Sequence, residues 1–244
     1  MKIKRGIAIL CVFSLCLAMC VPSVFAQSIS EDEDYSVFSY YEIAAGLVPG
    51  RNVVARRGAS DIVCVMRIFS DPSASSSGSS AGDTGHSFLT FLNASTSNIT
   101  VGRHTVAPNK MVSIGKNGRF DEYKGAFYNL ETTRKERLGW YTSARSIYME
   151  LTASQLQTVS NYLKSHQEGY TVVGDNCATY ATKAWNSVLL MNDSQYINHF
   201  ATPTDVYEEI SEIGNYINGN SLLRADYDLC YYDGATRKTC DDYV

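Results

Sequence analysis

The chain has 244 residues, 45% of them hydrophobic and 19% charged, with 17 Gly, 5 Pro, 7 Cys and a formal net charge of −4. That profile excludes disordered, collagen-like and coiled-coil chains, and the lack of basic excess argues against a protein that binds nucleic acid through phosphates. The 17 tyrosines stand out, because each combines apolar area with a hydroxyl that suits half-buried sheets and binding surfaces.

Lys2, Lys4 and Arg5 precede an apolar run from Ile7 to Val21, and Val24-Phe25-Ala26 has the small-residue pattern of a signal-peptidase site. Residues 1–26 therefore read as a signal peptide rather than a membrane anchor. The run is short for a span, and Met19 is a poor residue before a lipoprotein Cys20. The expected product is secreted, to the cell envelope or beyond, and the Lys-bearing leader suits a bacterium. Without the leader the chain carries 18 Lys and Arg against 25 Asp and Glu, net −7, and keeps four cysteines: Cys64, Cys177, Cys230 and Cys240.

Residues 27–82 read as a lead-in. An acidic patch at Glu31–Asp34 precedes a stretch of no clear period (36–56), a strand at Asp61–Phe69, and a Ser/Ala/Gly loop from Ser73 to Gly82. Strand patterns follow at Ser87–Leu92, Ile99–Val106, Lys110–Ile114, Lys124–Leu130 and Ser146–Leu151, with Pro108-Asn109 as a turn. Helices come next. Thr152-Ala153-Ser154-Gln155 is a capping box, with Leu151 and Leu156 placed to form its hydrophobic staple. Tyr170–Val173 reads as a short extended piece. Asp175-Asn176 offers an N-cap before a broad apolar stripe through Trp185, and Thr202-Pro203 opens a last helix. Strands segregated from helices predict an α+β fold, an antiparallel sheet packed with helices, with a core over 83–217. The tail, 218–244, carries the hairpin signal Asp233-Gly234 between Cys230 and Cys240, which could pair as a disulfide.

Cys177 is the most informative position. At the first turn of a helix, free backbone N–H groups and the helix dipole favour a thiolate and could also hold an oxyanion. The alternatives are a structural cysteine under the helix start or a disulfide partner of Cys64. Of the four histidines, His86 opens a strand beside the flexible loop, His104 lies in a polar strand or turn, His166 ends a helix where the dipole accounts for it, and His199 has no distinguishing context. No CxxC, HExxH, Walker or dinucleotide pattern is present. The scattered histidines point to no metal, and no cofactor is expected.

Gly85-His86-Ser87-Phe88-Leu89, followed some 90 positions later by Asp175-Asn176-Cys177, resembles the circularly permuted papain-like cysteine hydrolases, relatives of the NlpC-type cell-wall peptidases and the lecithin:retinol acyltransferase group. Tyr128-Asn129-Leu130-Glu131 is similar to a further element of secreted bacterial proteins with that arrangement. The resemblance spans roughly residues 83–215. It implies a permuted papain-like fold, Cys177 as nucleophile and His86 as general base. It also implies a third polar group that orients His86, for which His104 is favoured over Asn93. Asn176, Asn129 and Glu131 would line the substrate cleft, the last two being otherwise a polar turn. The implied activity is cleavage of an extracellular amide or ester, such as a cell-wall peptide, with no nucleic-acid partner and no stable membrane anchor. The rivals are an acyltransferase using the same pair, and a non-catalytic secreted binding module, which the Tyr content and the sequons at Asn93 and Asn98 would also fit.

Overall fold

A computed structural model describes residues 37–48, 61–73, 85–120 and 122–240. Residues 1–26, the acidic patch and nearly all of the Ser-rich loop lie outside them. Ten strands and five helices are present among the described residues: α1 (Tyr40–Ala44), β1 (Ile62–Asp71), β2 (His86–Asn93), β3 (Ile99–Val101), β4 (His104–Val106), β5 (Met111–Asn117), β6 (Gly125–Tyr128), α2 (Leu130–Leu138), β7 (Arg145–Thr152), α3 (Ala153–Ser165), α4 (Cys177–Asn186), α5 (Pro203–Ile213), β8 (Ile217–Asn218), β9 (Cys230–Asp233) and β10 (Thr236–Thr239). The fold is α+β, as expected.

Eight strands form one sheet in the order β10-β9-β6-β5-β2-β1-β7-β8, every pair antiparallel. Alternation divides its residues between two faces. Cys64, Met66, Ile68, Leu89, Phe91, Val112 and Ile114 pack with α3, α4 and α5 in the main core, which includes Trp185 and Val206. Val65, Phe69, Phe88, Leu92 and Met111 face the other way, against Ile43 and Leu47 of the α1 segment and against Tyr141 and Leu222. Both faces are therefore covered. The long central strands β1 and β2 accordingly read as apolar runs rather than a clean alternation.

One buried ion pair fastens α1. Arg67 donates to both Glu42 oxygens, at 2.8 and 2.7 Å, and to the Val37 carbonyl at 2.9 Å, with both side chains at most 2% exposed. Ser39 caps α1, in a capping box closed by Glu42.

Some local expectations need correcting. Ile99–Val106 is a small separate hairpin, β3–β4, and Gly102 at its tip accounts for the break. Lys124–Leu130 ends as a strand at Tyr128. Asn129, in the left-handed region at φ 66°, turns the chain into α2, a helix whose residues lack an apolar stripe. Tyr170–Val173 is no strand; Thr171 bridges only Asp175, as part of a turn. The capping boxes at Thr152, Asn176 and Thr202 are all formed. The Asp233-Gly234 turn joins β9 to β10, and all four cysteines among the described residues are buried free thiols. No helix among the described residues is long and apolar enough to cross a membrane.

Candidate active site

The site lies where β2 begins, β5 ends and α4 begins. Gly85 leads into β2 with φ 82°, and a Cβ there would stand 2.4 Å from the Asp71 carbonyl, so only glycine lets the chain enter so close to the end of β1. His86 follows as the first residue of β2. Opposite it, Asn176 caps α4: its side-chain oxygen accepts from Thr179 N–H at 2.9 Å, and its amide donates to the carbonyls of Val172 and Ala201 at 2.9 and 2.8 Å. Asn176 is thus fully used in building the helix start, rather than free to line a cleft. Cys177 is the first helical residue and is 4% exposed.

The two side chains meet. The Cys177 sulfur is hydrogen-bonded with His86 and receives the backbone N–H groups of Ser87 and Ala178. Burial alone would raise this thiol, but the His86 hydrogen bond and charge together with those two N–H donors outweigh it, so its pKa is lowered. For His86, burial pulls the pKa down, and hydrogen bonds and charges from Cys177 and Glu131 more than reverse that, raising it to about 9. Both shifts favour the same state, a Cys177 thiolate facing a His86 imidazolium.

The group that orients His86 is Glu131. Its Oε1 lies 2.9 Å from His86 Nε2, which leaves Nδ1 for Cys177, and its Oε2 accepts from Ser113 Oγ at 2.8 Å. Glu131 is fully buried. The corner at Asn129 delivers it: Asn129 N–H donates to the Ser113 carbonyl at 2.9 Å and its side-chain oxygen accepts from Ser113 N–H at 3.3 Å, so the first turn of α2 is pinned against β5. Asn129 therefore shapes the site from behind. Gly115 on β5 makes room, since a Cβ there would stand 2.4 Å from Glu131 Oε1 and 3.0 Å from His86 Nε2.

The structure does not bring His104 or Asn93 to this line. His104 stacks on Tyr128 at 5.5 Å and meets the edge of Tyr227 at 4.9 Å, with Nδ1 3.4 Å from Tyr232 Oη and Nε2 unpartnered. Burial, and then the Arg237 charge, hold its pKa down at about 4. The strand beside His86's strand in sequence, β3, leaves the main sheet, which is why the expected neighbour is elsewhere. Asn93 spends its amide on the Ser97 and Val106 carbonyls, both at 2.8 Å, and its oxygen on Ser95.

Tyr170 was not singled out by sequence reasoning, yet its hydroxyl accepts the Cys177 backbone N–H and also contacts the thiol; burial, then the Cys177 charge, raise its pKa. Ser113, Gly115, Arg119 and Arg134 were missed as well. Glu131 and Arg134 are buried in α2, a helix of otherwise polar composition. A buried carboxylate in such a helix calls for a partner.

A cavity of about 190 Å³ opens beside the sulfur, lined by His86, Cys177, Arg119, Arg134, Trp140 and Tyr170 among others. A larger groove of about 770 Å³ between α4 and α5 contains the paired His199 and Glu209 but no nucleophile. Among the described residues no three His, Cys, Asp or Glu side chains are placed to hold a metal ion. No family model, curated protein or solved structure matches the chain.

Proposed function

We propose that the protein is a secreted cysteine hydrolase of the permuted papain-like kind, cleaving an amide or ester through an acyl-enzyme on Cys177. The observation that carries this reading is the continuous line Ser113–Glu131–His86–Cys177, buried except where it meets the small cavity. A chain of this kind supplies a nucleophile, a base next to it and a carboxylate that fixes the ring.

The Cys177 thiolate attacks the substrate carbonyl carbon, forming the S–C bond and pushing the carbonyl π electrons onto oxygen. The Tyr170 hydroxyl, which contacts the thiol, can donate to that oxyanion. As the tetrahedral adduct collapses, the C–N or C–O bond breaks and the leaving group takes the proton from His86 Nδ1. Neutral His86 then removes a proton from water, whose oxygen attacks the thioester; the carboxylic acid departs, and the thiolate–imidazolium pair is restored. Glu131 stays ionised throughout, holding Nε2–H and stabilising the imidazolium. The substrate would be an extracellular peptide or acyl compound, in line with the exported leader, and an acceptor other than water would turn the same steps into acyl transfer.

The test is trapping of the intermediate. With an activated ester such as p-nitrophenyl acetate, an acetyl group should appear on Cys177 by peptide mass spectrometry, with a burst of p-nitrophenol that Cys177→Ser abolishes. Acetylation at other residues only, with an equal burst from the variant, would overturn the proposal.

A further inference from the structure

The cavity beside Cys177 has a charge pattern that the line of catalytic groups leaves unexplained. Three basic side chains, Lys116, Arg119 and Arg134, line it together with the nucleophile. Lys116 is already neutralised, by Asp175 at 2.6 Å. Arg134 is not: it is 6% exposed, and among the described residues no carboxylate is in ion-pair contact with it. Glu131, one turn earlier on α2, has one oxygen on His86 and the other on Ser113. Instead, the guanidinium lies over the rings of Trp140 and Phe120, at 4.9 and 5.8 Å. Aromatic faces cover a guanidinium's planes and leave its N–H edge for a bidentate acceptor.

A buried cation without a counter-charge is costly. Arg119, an exposed side chain, lines the same cavity. Burial and then the Arg134 charge hold its pKa below the ordinary arginine value, so the two guanidinium groups repel each other across the cavity. A planar anion beside Arg134 would relieve the cost of burying it and the repulsion between the two guanidinium groups. The volume, about 190 Å³, suits a group of side-chain size rather than an extended chain.

We infer that this cavity selects substrates that carry a carboxylate close to the scissile bond, an acidic side chain or a free terminal carboxyl, held by Arg134 and Arg119. The inference rests on the Cys177 nucleophile proposed above and narrows its substrate class. Because His86, Cys177 and the two arginines line one small cavity, the carboxylate must lie within about one residue of the bond that is cut.

Two alkylating reagents of nearly equal size separate the claims. Iodoacetate carries the carboxylate and iodoacetamide does not, and the ratio of their rates at Cys177 cancels changes in thiolate fraction. Relative to the same ratio for free glutathione, the protein should favour iodoacetate about tenfold, as expected for a charge-assisted bidentate contact. In Arg134→Gln, and separately in the more exposed Arg119→Gln, the preference should fall at least about threefold, and Arg134→Lys should retain more of it than Arg134→Gln, because it keeps the charge but loses the fork. If Arg134→Gln does not fold, Arg119→Gln carries the comparison. A ratio equal to that of glutathione, or one that neither neutral variant lowers, overturns the inference; in the second case the His86 imidazolium alone attracts the anion. Reaction of Cys177 with neither reagent would instead overturn the nucleophile itself, and the substrate class with it.

Discussion

His86 and His104 are both buried histidines at the start of strands, 5% and 6% exposed, and both come forward from the sequence as candidates. Their surroundings drive them in opposite directions. His86 stands between a carboxylate and a thiolate and holds its proton up to about 9. His104 stands among Tyr128, Tyr227 and Tyr232 with Arg237 nearby, and gives its proton up near 4. Burial penalises the charged ring in both. What decides between them is whether anionic partners offset that cost. A buried histidine therefore becomes a catalytic candidate through its neighbours, and those come from distant parts of the chain.

The comparison is broken most forcefully at His86. His86→Ala should lower hydrolysis of an activated substrate by roughly 10²–10³-fold, in the range that positioned acid–base groups contribute. Steady-state rates with the purified variants measure this, and a loss under threefold would remove His86 from the mechanism.

Glu131 and Gly115 come next. Glu131→Gln keeps the shape but removes the charge that raises His86, and should cost about 10–100-fold, the usual scale for a residue that orients a reactive group. Gly115→Ala removes no functional group, yet it must displace Glu131 or the His86 ring, since its Cβ would lie 2.4 Å from Glu131 Oε1. It should follow Glu131→Gln in rate and in the fall of the His86 pKa measured by NMR. Wild-type activity in both would show that the 2.9 Å contact has no role.

The smallest effect on activity belongs to His104. Its folded pKa near 4 lies below the ordinary value of 6.5, so the unfolded chain takes up a proton first as pH falls. Its contribution to stability is present above 6.5 and is lost between 6.5 and 4. His104→Gln should flatten the pH dependence of stability in that window and leave the Cys177 rate within about twofold, as for a change remote from the site. Denaturant melts at a series of pH values measure it, and an unchanged slope would show that His104 titrates normally.

The sheet was legible because long apolar strands and turn residues announce themselves: Ser87–Leu92 and Ser146–Leu151 fall within strands, Asp61–Phe69 overlaps β1 from Ile62 onward, and the capping boxes mark α3, α4 and α5. Cys177 and His86 were legible as a helix-start thiol and a strand-opening histidine. The third group was not, because its position depends on a single left-handed residue. Asn129 ends β6 and starts α2 with no apolar periodicity to betray the helix, and only that corner aims Glu131 at the ring. His104 was the natural choice if consecutive strands were neighbours, and the β3–β4 hairpin leaves the main sheet instead. The same polar helix hid Arg134, so the cationic wall of the cavity became visible only when α2, β5 and α4 were seen together.

The central claim is that Cys177 is a thiolate paired with the His86 imidazolium. The most direct measurement is the rate of Cys177 alkylation by iodoacetamide from pH 4 to 10 in the wild type and in His86→Ala. The account predicts a plateau of high reactivity in the wild type that extends well below the ordinary thiol range, and a return in the variant to a single titration near about 8.5, the value of an unperturbed cysteine. Identical curves for the two proteins, both rising only near that ordinary value, would contradict it.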